Sequence, residues 1–301
     1  MARLPRRDST TRSGEQKVDT ITVDSRLWCC QRRWESRISY EGRTAPTLKT
    51  LQVLHRLHPS RITFENFDPL LKRPVRLDPA SLIDKIVNRG RGGYCYEQNT
   101  LFEHVLRALG YSVSGLAARV QWNAPRDVVR SRTHMVLRVW LPDDHYIVDV
   151  GFSLLTLIAP LLLEPDIEQS TPHGLHRMVR VGDEFQLQAR LVEQWNPLYQ
   201  ISLQEQVASD WEVANWFTST HPESTFTNNL MAARPVGDRR YALLNNRLSV
   251  HHLDGRIERS IIRESLELRQ LLESDFSIRL PEGCEDLLRR VAQREMTSPT
   301  P

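Results

Sequence analysis

Downstream of Cys95 the apolar positions fall at Leu101, Phe102, Val105, Leu106 and Leu109, the spacing of one stripe on an α-helix. Gly110 follows as a stop, since the left-handed backbone beyond a helix end suits glycine. Gly90, Gly92 and Gly93 precede the helix and read as a flexible run that lets a substrate approach the backbone. Further upstream, Thr47 caps a predicted helix from Leu48 to His58, with Leu48, Leu51, Leu54 and Leu57 on one face. Another helix starts at Asp78 or Ser81 and carries Ile83, Ile86 and Val87. The chain to residue 110 is therefore expected to be mostly helical.

After Tyr111 the period changes to two. Strands are predicted at 111–122, 133–141, 145–150, 176–181, 184–191 and 198–203, with Gly182-Asp183 as a hairpin turn. Many strands joined by short turns indicate an antiparallel barrel or sandwich. Pro160 inside the apolar run Leu154 to Leu163 predicts a core-packed loop there rather than a strand. From Ser209 to Ser219 a short helix is expected, capped by Asp210, with Trp211, Val213, Ala214 and Phe217 buried or lining a cleft. Strands near 240–244 and 247–251 turn at Asn245-Asn246, and helices follow near 263–273 and 283–293. The expected class is α+β and multidomain. Residues 1–24 form a polar tail without apolar periodicity, expected to be disordered. Residues 25–110 form a helical unit, 111–206 a β unit and 207–301 a mixed α/β unit.

Net charge changes this picture little. It is +3 over 301 residues, with arginines scattered among acids, so no nucleic-acid partner is expected. No apolar run approaches the ~18 residues of a membrane span, so no membrane partner is expected either. The four cysteines, Cys29, Cys30, Cys95 and Cys284, form no C-x-x-C pair, so neither a zinc site nor a dithiol motif is indicated and no metal is assigned. With no secretory signal recognised, a reducing cytoplasm is the expected compartment.

Chemistry concentrates at three positions. Cys95 sits at a helix start, where unpaired backbone N–H groups and the positive end of the macrodipole suit an anionic nucleophile. The plain alternative is a buried cysteine acting as a small hydrophobe. His134 opens the strand Thr-His-Met-Val-Leu-Arg-Val-Trp, and Asp149 lies among apolar residues in the next one. A carboxylate there needs a partner, and a histidine ring N–H would supply it while fixing the tautomer. The alternative is a structural histidine and a turn-capping aspartate. A hairpin turning symmetrically about Asp143 sets Leu137, not His134, opposite Asp149, so the pairing calls for a bulge or an offset register.

The segments Arg-Gly-Gly-Tyr-Cys-Tyr-Glu-Gln-Asn (91–99), Thr-His-Met (133–135) and Val-Asp-Val-Gly-Phe (148–152) resemble the three catalytic boxes of the arylamine N-acetyltransferases. Arg37-Ile-Ser-Tyr-Glu-Gly42, Ile62-Thr-Phe-Glu-Asn66, Ser219-Thr-His-Pro222 and Arg240-Tyr-Ala-Leu extend the likeness over residues 24–275. The resemblance implies a helical domain, a β-barrel and an α/β lid around a papain-like Cys-His-Asp arrangement. It implies Cys95 as nucleophile, His134 as base and Asp149 as orienting acid. Phe64, Val120 and Phe152 resemble acceptor-pocket residues, and Thr133 and Ser153 resemble residues at the CoA arm. Acetyl-CoA would be a co-substrate, with no permanently bound cofactor; arylamines, arylhydrazines or N-hydroxyarylamines would accept the acetyl group in a ping-pong cycle. A homo-oligomer is compatible with this reading. Two positions depart from the family pattern: Ser153 stands where Gly-Phe-Gly has its second glycine, and Thr63 where proline is usual. The competing readings are a papain- or transglutaminase-like cysteine hydrolase, a macrocycle-forming amide synthase of the same family, and a catalytically silent binding protein.

Overall fold

The computed structural model describes residues 25–125 and 128–295, so the expected disordered tail lies outside the described residues. The chain begins with α1 (Ser25–Ile38), which no pattern had marked, and α2 (Leu48–Arg61). Thr47 caps α2 as expected, its hydroxyl accepting from the Thr50 N–H at 3.3 Å. The helix runs past its expected end at His58, because Pro59 falls in the last turn and removes a single N–H there. A two-residue strand, β1 (Phe64–Glu65), leads to α3 (Phe67–Leu70) and α4 (Pro79–Leu82). Asp78, not Ser81, caps α4, accepting from the Ser81 N–H at 3.0 Å, and a π-helical turn, Ile83–Asn88, continues it. The long helix α5 (Cys95–Ala108) buries all five residues of its predicted stripe.

Eight strands follow: β2 (Ser112–Val120), β3 (His134–Trp140), β4 (His145–Val148), β5 (Leu161–Leu162), β6 (Gln169–Thr171), β7 (Gly174–Val181), β8 (Glu184–Leu191) and β9 (Gln194–Gln206). They form one antiparallel sheet in the order β5-β4-β3-β2-β9-β8-β7-β6. Its two edges meet through a side chain. Gln169 Nε2 donates to the Leu162 carbonyl at 2.9 Å, while Gln169 Oε1 accepts from the Leu162 N–H at 2.7 Å. One amide thus imitates a backbone pair and brings the barrel near closure. The expectation of a loop throughout 154–163 is corrected: Leu161 and Leu162 pair with Ile147 and Tyr146. Pro160 precedes these residues, so it removes no ladder bond.

The remaining elements are α6 (Ala208–Thr220), α7 (Thr225–Asn228), β10 (Met231–Val236), β11 (Arg239–Leu244), β12 (Arg247–His252), β13 (Ile257–Ile261), α8 (Ser265–Ser274) and α9 (Glu285–Ala292). Asp210 supports α6 from its third position, accepting from the Val207 N–H at 2.9 Å, and Val213 is exposed rather than buried. β10 and β13 went unpredicted. β10 is rich in small residues and contains Pro235, and all five residues of β13 are exposed, so neither alternates clearly. The second sheet runs β1-β10-β11-β12-β13, which makes a segment of the helical part its edge strand.

Alternation along β2 and β3 divides the core. Val113, Ala117, Met135, Leu137 and Val139 pack against α1, α2 and α5. Leu116, Ala118 and Val136 point the other way, toward Met178, Leu187, Tyr199 and Ile201 inside the barrel. His134 shares the parity of Val136. A third core joins Phe67 to the second sheet, α8 and α9.

Candidate active site

Cys95 is the first residue of α5 and is 3% exposed. The chain before it is tightly packed. A Cβ on Gly92 would lie 1.8 Å from the Thr63 carbonyl oxygen, so only glycine fits, and the space is taken by the protein's own backbone rather than left for substrate. Behind the loop lies a buried charge network. Arg91 holds Glu65 with both Nε (3.1 Å) and Nη2 (2.9 Å) and reaches Asp68 with Nη1 at 2.7 Å. Lys85, carried by the π-helical turn, pairs with Asp68 at 2.7 Å and Glu97 at 2.6 Å. The other oxygen of Glu97 accepts from the Tyr94 N–H at 3.2 Å, just before Cys95. Three carboxylates share two cations. Burial first, and then the charges of Asp68 and Glu65, outweigh Lys85 and push the Glu97 carboxyl up to about 7.

His134 and Asp149 come together without a bulge, in a register offset by one residue from the symmetric hairpin, which puts Asp149 on the face of His134. The β3–β4 ladder pairs Leu137 with Val148 and shows no shift. The ladder ends there, and Asp149 turns out of it. Its Oδ1 accepts from the Gly151 N–H at 2.9 Å, an Asx turn, which swings Oδ2 to within 2.8 Å of His134 Nε2. Gly151 is required by contact, because a Cβ there would meet Cys95 Cα at 2.8 Å. Cys95 and His134 line the same cavity, and Nε2 is occupied by Asp149, so Nδ1 is the ring nitrogen left for the thiol. The Cys95 sulfur also lies 3.9 Å from the Thr133 carbonyl oxygen. Burial opposes charge on His134, but the Asp149 charge and hydrogen bond, reinforced by Cys95, prevail and raise the imidazole to about 10. Burial likewise opposes ionisation of Asp149, yet the His134 charge and donors from His134, Asn99 and Gly151 hold its carboxyl below the ordinary aspartate range.

Asn99 had been given no role. Its Nδ2 donates to Asp149 Oδ1 at 2.9 Å and to the Met135 carbonyl at 2.8 Å, and its Oδ1 accepts from the Val150 N–H at 3.0 Å. One saturated amide ties α5, β3 and the acid's turn together. The available signal was spacing, since residue i+4 from Cys95 lies on the same helix face.

A cavity of about 1110 Å³ opens on this cluster. Cys95 and His134 line it, as do Phe64, Val120, Thr133, Phe152 and Ser153, while Asp149 sits behind the imidazole. Phe152 packs edge-on against His134, ring centroids 5.0 Å apart. Phe217, expected to be buried or to line a cleft, and Phe226, which no pattern had singled out, also line it. From Phe64 one cross-strand row crosses the second sheet through Ala233, Ala242 and Ser249 to Arg259. Four strand steps of ~4.8 Å give a floor of about 19 Å, small-residued in the middle and cationic at its far end. Among the described residues no group of acids, histidines and cysteines is arranged to hold a metal ion. No helix of the described residues is long and apolar enough to cross a membrane.

A sequence model of the N-acetyltransferase family matches residues 47–284. The chain belongs to the arylamine N-acetyltransferase family. The enzyme of that name from Mycolicibacterium smegmatis is 39% identical over 263 residues, covering 86% of this chain and 95% of its own. The Salmonella typhimurium arylamine N-acetyltransferase / N-hydroxyarylamine O-acetyltransferase is 34% identical over 264 residues, covering 87% and 92%. The structure of Mycobacterium marinum arylamine N-acetyltransferase in complex with CoA superposes with a TM-score of 0.84 at 39% identity, over 87% of this chain and 98% of that one. Within this N-acetyltransferase fold, Ser153 adopts φ +49°, the left-handed region in which glycine is the relaxed residue.

Proposed function

We propose that this protein transfers an acetyl group from acetyl-CoA to the nitrogen of arylamines or arylhydrazines, and to the oxygen of N-hydroxyarylamines, through an acetyl-cysteine. The observation that carries the reading is the buried Cys95–His134–Asp149 cluster at the floor of one large, mostly apolar cavity. Cys95 thiolate, paired with His134 imidazolium, attacks the thioester carbonyl. The N–H groups of Cys95 and Tyr96, in the first helical turn and without intrahelical acceptors, receive the oxyanion. The C–S bond to CoA breaks and His134 supplies the proton its thiolate takes up. The amine then attacks the acetyl-cysteine, His134 takes the amine proton, and Cys95 leaves as the thiolate. Phe64, Phe152 and Val120 form a slot for a flat ring. The ~19 Å row from Phe64 to Arg259 suits an extended donor whose acyl end lies at Cys95 and whose anionic end lies at the arginine. Thr133 and Ser153 border the donor arm, and CoA comes and goes as a substrate rather than a resident cofactor.

The division into a helical part (25–110), a barrel (111–206) and a covering α/β part (207–301) fits this cycle, because the last part brings Phe217 and Phe226 over the cavity and shields the thioester from water. Incubation with acetyl-CoA alone, followed by intact-mass and peptide analysis, is expected to show one acetyl group on Cys95, discharged by an arylamine. No mass gain, with hydrolysis of a peptide or amide substrate instead, would replace this reading by a cysteine hydrolase.

A further inference from the structure

Arg240 is a buried cation that has no carboxylate partner among the described residues. It lies at 7% exposure on β11, and burial alone lowers its guanidinium to about 10. Its Nη1 donates to two backbone carbonyls, Leu154 at 2.7 Å and Thr156 at 3.1 Å. Its neighbours of like sign, His173 and His176, are held neutral, each lowered to about 4 by burial first and Arg240 second. A charge desolvated in this way costs stability, offset only in part by its hydrogen bonds to the two carbonyls. The two carbonyls belong to the turn 152–156, which forms a wall of the cavity. Inside that turn Thr156 Oγ1 accepts from the Phe152 N–H at 3.2 Å and donates to the Asp149 carbonyl at 3.3 Å. A continuous polar path therefore leads from the second sheet to the backbone that carries Phe152.

We infer that Arg240 is a positioning residue that sets the acceptor slot: it clamps the 152–156 turn from β11 and so fixes Phe152 against His134. The carboxylate of Asp149 is held separately by His134, Asn99 and Gly151. The clamp reaches Asp149 only at its backbone carbonyl, through Thr156, so it acts on which acceptors fit far more than on the activation of Cys95. Ser153, with its left-handed backbone, is the residue of the turn most ready to relax once the clamp is gone.

The inference rests on the acetyl-transfer reading, and the test separates the two. Arg240→Met and Arg240→Lys are compared with the unsubstituted protein in three measurements. These are alkylation of Cys95 by iodoacetamide, acetylation of Cys95 by acetyl-CoA alone, and kcat and KM over an arylamine series graded by ring size. For Arg240→Met, alkylation and acetylation are expected within about threefold of the parent. The ratio of kcat/KM between one-ring and two-ring amines should shift at least tenfold, and Arg240→Lys should restore only part of it, since its shorter, readily neutralised amine can still donate to a carbonyl but lacks the fixed fork of the guanidinium. Thr156→Val keeps Arg240 and both carbonyls but removes the hydroxyl link, and should shift the same ratio in the same direction. The inference fails if the ratio is unchanged in Arg240→Met, or, where that variant does not fold, unchanged in Thr156→Val. It also fails if all acceptors lose equally in step with Cys95 alkylation. Absence of acetylation in the unsubstituted protein would overturn the acetyl-transfer reading instead.

Discussion

Asn99 is bound to Asp149 from one helical turn beyond Cys95, Nδ2 to Oδ1 at 2.9 Å, so the acid is held by the same helix that carries the thiol. Asn99→Ala leaves Asp149 Oδ1, the Met135 carbonyl and the Val150 N–H each short of a buried partner. With ~1–3 kcal/mol for an unsatisfied buried group, and partial relaxation, the loss of stability is expected to be about 2–4 kcal/mol. Denaturant titration measures it. A loss below about 1 kcal/mol would mean that water takes over the amide's contacts.

The His134–Asp149 pair has a defined dependence on pH. His134 is raised to about 10 in the folded state from an ordinary value of 6.5. Its charge therefore stabilises the fold fully below pH 6.5 and progressively less as pH rises toward 10. Asp149, lowered when folded, contributes above the ordinary aspartate range and is lost as pH falls through its folded value. The stability difference between the parent and His134→Gln should accordingly shrink from pH 6.5 to pH 10. A difference that stays constant over this range would show that the imidazole is neutral in the folded protein.

Glu97 should behave in the opposite sense to an ordinary ion-paired acid. Its carboxyl is raised to about 7, so ionising it opposes folding, and this effect grows from pH 4.5 to pH 7 and then levels off. Over that interval the parent should lose on the order of 2 kcal/mol more stability than Glu97→Gln. Parallel pH profiles for the two proteins would mean that Lys85 satisfies the carboxylate outright.

At position 153 the usual order of glycine and alanine is expected to reverse. Alanine normally stabilises a chain relative to glycine, but at φ +49° its Cβ is strained. Ser153→Gly should be more stable than Ser153→Ala by about 1 kcal/mol, read from denaturation midpoints at constant slope. The reverse order would show that the turn adopts another backbone in solution.

Periodicity alone carried the reading a long way where one face of an element is buried. The stripe on α5, the caps Thr47 and Asp78, and the two-residue turns at Gly182-Asp183 and Asn245-Asn246 are local properties, and all appear in the structure. Cys95, His134 and Asp149 stood out because a helix-start cysteine and a strand-buried acid each demand a partner. The geometry joining them did not show, since an Asx turn at Gly151 depends on where the ladder stops. β1, β5 and β10 were invisible for a related reason: each is short or built of small residues, and partners remote in sequence define it. The buried network of Arg91, Lys85, Glu65, Asp68 and Glu97 draws on four separate segments, and no spacing rule connects them.

The seam of the barrel has one further consequence. Open strand margins recruit neighbouring molecules, because their unpaired amides offer a template for another chain. At Leu162 both backbone groups are already engaged by Gln169, and the strand there is only two residues long. A second copy of the protein arriving at this margin finds no ladder to extend, so one glutamine guards against fibre-like growth where the wall would otherwise invite it.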